Sequence, residues 1–118
     1  MEKFSISLPL TGEYITTVRL TTGGICSLAD FDVDTTEDYK VCVTESLLIL
    51  KRNGFLTASV TFAVGETLDC VVCGEEKGGE KTEEMEEEIS KALLSALLGD
   101  VEFVKNSEGI IEKISFKG

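Results

Sequence analysis

A two-layer α/β (α+β) sandwich, one mixed sheet with helices packed on a single face, is the fold class the sequence predicts. Three observations lead to it. The apolar period alternates between two and about 3.6 along the chain. The segments so defined run in the order β-α-α-β-β-α-β-β. The 118 residues, 42% of them hydrophobic with one proline, suit one ordered core but not two independent domains.

Phe4, Ile6, Leu8 and Leu10 alternate with polar neighbours, as in a strand with one buried face, and Pro9 places that strand at an edge or near its end. Residues 13 to 30 are rich in Thr, Ile and Val. Yet Ile15, Val18, Ile25 and Leu28 fall at helical spacing, so a helix is predicted despite the costly Gly23-Gly24 pair. A second helix is predicted over residues 35 to 52, capped by Asp34 or Thr35, with Glu37 and Asp38 near its positive end. Tyr39, Cys42, Val43, Leu47 and Leu50 form its apolar stripe, and Lys51, Arg52 and Asn53-Gly54 end it.

The period then changes to two. Leu56, Ala58, Val60, Phe62 and Val64 alternate, Gly65-Glu66 turns the chain, and Leu68, Cys70 and Val72 return as a hairpin. A third helix is predicted over residues 83 to 98, with Met85, Ile89, Ala92, Leu93, Ala96 and Leu97 as its buried stripe and Gly99 as its stop. Val101 to Val104 and Ile110 to Phe116, joined by a turn at Asn106 to Gly109, make the last hairpin.

Eleven basic against twenty-two acidic residues give a net charge of −11, which repels nucleic acid and anionic membrane surfaces. Residues 75 to 90 alone hold eight glutamates against two lysines. The longest apolar run, around Leu47 to Leu50, stops at Lys51-Arg52, and no signal peptide is visible, so a cytoplasmic location is expected. The absence of histidine removes the commonest general base and zinc ligand, and every Ser-His or Cys-His nucleophile pair.

Cys26, Cys42, Cys70 and Cys73 fit a reducing compartment. Cys70-Val71-Val72-Cys73 has the outline of a metal or redox pair, but positions 70 and 73 of a strand face opposite ways, and Cys26 and Cys42 lie sixteen apart on helices. Core and edge cysteines are therefore expected, with no metal site; a small cysteine metal-binding protein is the alternative. The run Glu83 to Glu88 lacks the spaced oxygens of a calcium loop and reads as a solvated helix start. Gly74, Gly78 and Gly79 with Lys77 match no phosphate-binding motif. Glu45 lies on or beside an apolar stripe, where a carboxylate is expensive unless paired or functional; Thr44 and Ser46 are available to satisfy it.

Leu8-Pro9-Leu10-Thr11-Gly12-Glu13-Tyr14-Ile15 with Val18-Arg19-Leu20-Thr21, the run Thr36 to Ser46, and Asn53-Gly54-Phe55 together resemble the bacterial anti-sigma-factor serine/threonine kinases. That family is the small branch of the histidine-kinase-like (Bergerat, or GHKL) ATPases. The resemblance spans nearly the whole chain and implies a single histidine-kinase-like ATPase domain over residues 1–118, with a shortened acidic lid at about 74–84. Family chemistry requires a glutamate that activates the attacking hydroxyl and, four residues on, an asparagine that holds magnesium. Glu45 matches the first, as a vestigial general base, but Ile49 stands at the second and cannot bind a hard cation.

The adenine-reading aspartate is missing from Gly74-Glu75-Glu76-Lys77-Gly78, and the second glycine box falls on Glu88-Ile89-Ser90, without glycine. Ile49, Gly74 and Gly78 are thus expected to mark nucleotide-site positions that no longer bind. Glutamates where phosphate would sit add to this, since one unpaired charge at ~4 Å costs ~4 kcal/mol at an effective dielectric of about 20. The resemblance therefore implies a degenerate, non-catalytic member without cofactor. Its expected partner is a sigma factor, an anti-anti-sigma protein or a kinase-like subunit, with a homodimer left open. An active Mg-ATP-dependent serine/threonine kinase is the alternative.

Overall fold

Residues 2–81 and 84–118 are described by the computed structural model, the side chains of Glu84 and Met85 excepted. The predicted helix start at Glu83 and the acidic segment around it fall partly outside these residues.

Strand β1 (Glu2–Pro9) is followed by helices α1 (Gly12–Leu28) and α2 (Val33–Arg52), strands β2 (Thr57–Val64) and β3 (Leu68–Gly74), helix α3 (Glu84–Leu98), and strands β4 (Val101–Lys105) and β5 (Ile111–Lys117). The element order is the expected one. The sheet is ordered β1-β2-β3-β5-β4 and every neighbouring pair is antiparallel, which corrects the expected mixed sheet. Helices α1 and α2 carry the chain out and back, so β2 starts where β1 ends, Pro9 opposite Thr57. The single helix α3 does make β4 parallel to β3, but β5 lies between them, and no parallel ladder forms.

One face of the sheet is buried: Leu8, Ala58, Val60, Phe62, Leu68, Cys70, Val72, Ile114 and Phe116 meet the helices, whereas Ser59, Thr61, Val71 and Cys73 on the other face keep partial exposure. All three helices therefore cover the same side. Pro9 costs the ladder nothing. Leu10 N donates to Leu56 O at 2.8 Å, so by alternation the odd-numbered residues of β1 turn their backbone groups to the open edge, where a missing N–H is harmless.

Segment α1 is a helix although four threonines favour strand, because Ile15, Val18, Thr22 and Ile25 bury one face at helical spacing, while Thr16, Thr17, Thr21 and Thr22 satisfy their hydroxyls on the carbonyls four residues back. Helix α2 begins earlier than expected: its N-cap is Asp32, not Asp34 or Thr35, with the Asp32 carboxylate accepting from Thr35 N at 2.7 Å. Tyr39 anchors it to the sheet, donating to Leu68 O at 2.7 Å between the edges of Phe31 and Phe116. Burial and neighbouring acidic groups push the Tyr39 phenol far up.

Helix α3 corrects the sequence reading most. Its inward face is Glu87, Ser90 and Leu94, with Leu97 and Leu98 packing beside them. Of the predicted stripe, Ile89 is 64% exposed, Ala92 and Ala96 are exposed and Leu93 is only half-buried. Met85 lies outside the described side chains. The helix is rolled so that Glu87 and Ser90 point inward together with Leu94. No helix among the described residues is long and apolar enough to cross a membrane.

Candidate functional site

Glu45, Ile49 and Asn53 succeed one another at four-residue spacing along α2, on a line that meets α3. Glu45 is half-buried, and one carboxylate oxygen, Oε2, accepts from Ser90 Oγ at 2.8 Å. Arg52 Nη2 donates to the same Ser90 oxygen, so the carboxylate stands at the end of a three-residue chain. Thr44 and Ser46, expected to satisfy Glu45, instead donate to Lys40 O and Cys42 O of their own helix. Ser90, forty-five residues away, was beyond reach of any local pattern.

Ile49 is fully buried and apolar, with its carbonyl accepting from Asn53 Nδ2 at 2.8 Å. Asn53 is also fully buried and joins three elements: Nδ2 donates to Glu87 Oε1 of α3 at 2.9 Å, and Oδ1 accepts from Ile111 N of β5 at 3.1 Å. Glu87 belongs to the acidic run expected to be solvated, yet only 4% of it is exposed. Its second oxygen lies 3.4 Å from Lys81 Nζ. Burial pushes its carboxyl up, but the Asn53 amide, the charge and hydrogen bond of Lys81 and the charge of Lys105 outweigh it and leave the carboxyl below its ordinary range.

The loop after β3 closes on the turn after α2. Gly78 N and Gly79 N both donate to Gly54 O, at 3.0 and 2.9 Å, Leu56 N donates to Glu76 O at 2.7 Å, and Phe55 bridges Lys77. The glycines permit this approach. A Cβ on Gly74 would lie 2.5 Å from the Phe55 ring, one on Gly78 would lie 2.3 Å from Leu56, and Gly54 holds a positive φ of 93° against the Gly79 carbonyl. Gly74 and Gly78 thus serve contacts within the chain. Lys77 Nζ donates to Gly79 O at 2.7 Å and completes the loop.

Two clefts lie elsewhere. One of about 620 Å³ opens beside Asp69, Val71, Asp100, Glu102 and Lys117, and another of about 290 Å³ lies among Phe4, Ile25, Leu28 and Val64. Neither is lined by Glu45, Ile49, Gly74 or Gly78.

Cys26, Cys42 and Cys70 are buried in the core, where desolvation pushes Cys26 up to about 11, Cys42 up to about 12 and Cys70 well above its usual range. Cys73, on the other sheet face, is also raised, first by burial. Among the described residues no three His, Cys, Asp or Glu gather as metal ligands would.

Chemically, the arrangement brings a carboxylate, a hydroxyl and a guanidinium together, with Glu45 Oε2 accepting from Ser90 and Ser90 accepting from Arg52. Replacement of Glu45 by glutamine should therefore destabilise the fold by about 1 kcal/mol, as a charge-assisted hydrogen bond is weakened, rather than relieve an unpaired carboxylate. Urea unfolding of the variant measures it; an unchanged or higher midpoint would mean that the Ser90 contact contributes nothing.

Comparison of the chain with protein-family models and with curated proteins finds no match.

Proposed function

We propose that the chain is a non-catalytic regulatory module of histidine-kinase-like ATPase (Bergerat) fold, similar to the bacterial anti-sigma-factor serine/threonine kinases, that binds a protein partner in partner-switching control of transcription. The observation that supports the reading is the closure of the loop after β3 on Gly54, whose carbonyl accepts from Gly78 N and Gly79 N, together with the engagement of Glu45 by Ser90. The fully buried side chain of Ile49, where a magnesium ligand would be needed, supports the same reading. The partner class that goes with it is a sigma factor, an anti-anti-sigma protein or a kinase-like subunit, met in the cytoplasm.

Thermal unfolding with and without magnesium-ATP tests the proposal. A ligand present at about 100 times its dissociation constant adds ~2.7 kcal/mol of stability, whereas one far below that constant adds almost nothing. Millimolar nucleotide should leave the melting curve unmoved. A concentration-dependent rise would overturn the reading and favour an active kinase.

A further inference from the structure

Helix α3 leaves Ile89, Ala92 and Ala96 exposed and Leu93 half-buried at positions i, i+3, i+4 and i+7, the spacing of one continuous helix face. On an ordinary surface helix this stripe would be the buried one. Here the opposite face is held inward by Glu87 on Asn53, at 2.9 Å, by Ser90 on Glu45, at 2.8 Å, and by the burial of Leu94 with Leu97 and Leu98 beside it. Those contacts together leave a second apolar stripe toward water. Glu86 and Glu88 border it on either side, with side chains 59% and 72% exposed. Each reaches only a weak surface pairing, with Arg52 at 4.0 Å and with Lys91 at 3.7 Å.

We propose that this stripe of α3 is the docking surface for an amphipathic helix of a protein partner whose apolar face is bordered by lysines or arginines. The inference deepens the reading of the chain as a protein-binding module and rests on it. Two small residues, Ala92 and Ala96, let a second helix approach to about 8 Å, with Ile89 and Leu93 as the anchors that enter its grooves. The acidic borders select the charge of the partner. A second copy of the chain is disfavoured as occupant, because two-fold pairing would set Glu86 and Glu88 against their own kind in molecules that each carry −11.

The test uses the full chain and a labelled helical peptide of about sixteen residues with leucines at i, i+3, i+4, i+7 and i+11 and lysines along both borders, beside the same peptide with glutamates as borders. Fluorescence anisotropy should show saturable binding of the lysine peptide alone. Ile89→Glu should weaken it at least about tenfold, although it adds negative charge. Leu20→Glu, which adds the same charge at an exposed leucine of α1, should leave affinity unchanged. Glu86→Lys combined with Glu88→Lys should also weaken it. Circular dichroism confirms that each variant folds, and Ile89→Ser replaces Ile89→Glu should the latter not.

Equal affinity of wild type and the Ile89 variants, equal binding of the glutamate peptide, or binding of neither peptide would overturn the proposal. So would a dimer in sedimentation that Ile89→Ser abolishes. None of these results touches the nucleotide reading, which is tested separately by the response of the melting curve to magnesium-ATP.

Discussion

Replacing Asn53 by leucine is expected to destabilise the protein by about 3 kcal/mol, since a buried carboxylate oxygen and a buried N–H each lose their partner at about 1–3 kcal/mol apiece. The side chains are close in size, so the loss isolates polarity from packing. Leucine leaves the buried Glu87 carboxylate with Lys81 alone and strands the Ile111 N–H, since Asn53 serves both. Changing Glu87 to methionine in the same molecule should restore part of the loss, because no buried carboxylate then lacks its amide.

The pH dependence carries a sign. Glu87 is depressed in the folded protein below its ordinary 4.5, so its contribution is present above that value and fades as pH falls through the folded value. In the leucine variant burial acts with less opposition, and protonation relieves it. The stability gap between wild type and variant should therefore be widest near neutrality and narrow below about pH 4.5. A gap independent of pH would mean that Glu87 is not the source of the loss.

Gly54→Ala is expected to cost about 3 kcal/mol or more. A φ of 93° strains any residue with a Cβ by about 1–2 kcal/mol, and the new atom would lie 2.3 Å from the Gly79 backbone oxygen, which a backbone shift alone can relieve. The control is Gly24→Ala in α1, where a Cβ meets nothing within 4 Å and should stabilise by about 0.5–1 kcal/mol. Hydrogen exchange gives a second readout. The amides of Gly78 and Gly79 should lose protection in Gly54→Ala and keep it in Gly24→Ala. Retained protection in Gly54→Ala would show that the loop is held without the turn.

What the sequence made legible follows the range of each force. The second helix and the β2–β3 hairpin are written locally, in Tyr39, Cys42, Val43, Leu47 and Leu50 at helical spacing and in the alternation around Phe62, and both lie close to where they were expected. The start of α2 was misplaced because Asp32, Asp34 and Thr35 are all capping residues within four positions, and only geometry selects Asp32. The roll of α3 differs from the expected stripe because Leu94, Leu97 and Leu98 offer a second apolar face, and Asn53 and Glu45, 34 and 45 residues from the Glu87 and Ser90 they meet, favour that one. Glu45 was visible as a carboxylate in an awkward setting. Its partners were not, since they come from another helix, and the roles of Gly74 and Gly78 as contact points for Phe55 and Leu56 need the folded loop to be seen.

The proposed absence of nucleotide binding rests on the contacts of Gly54 with Gly78 and Gly79 and of Glu45 with Ser90. Titration of ¹⁵N-labelled protein with magnesium-ATP, following the amide signals of Gly78, Gly79 and Ser90, tests it most directly, because these groups report on Gly54 and on Glu45 where nucleotide would have to enter. The account predicts that all three signals stay in place up to about 5 mM nucleotide, a concentration that would saturate a site of micromolar affinity. Saturable shifts of Gly78 and Gly79, with Ser90 moving at the same midpoint, would mean that the loop opens to admit nucleotide and that the site is in use.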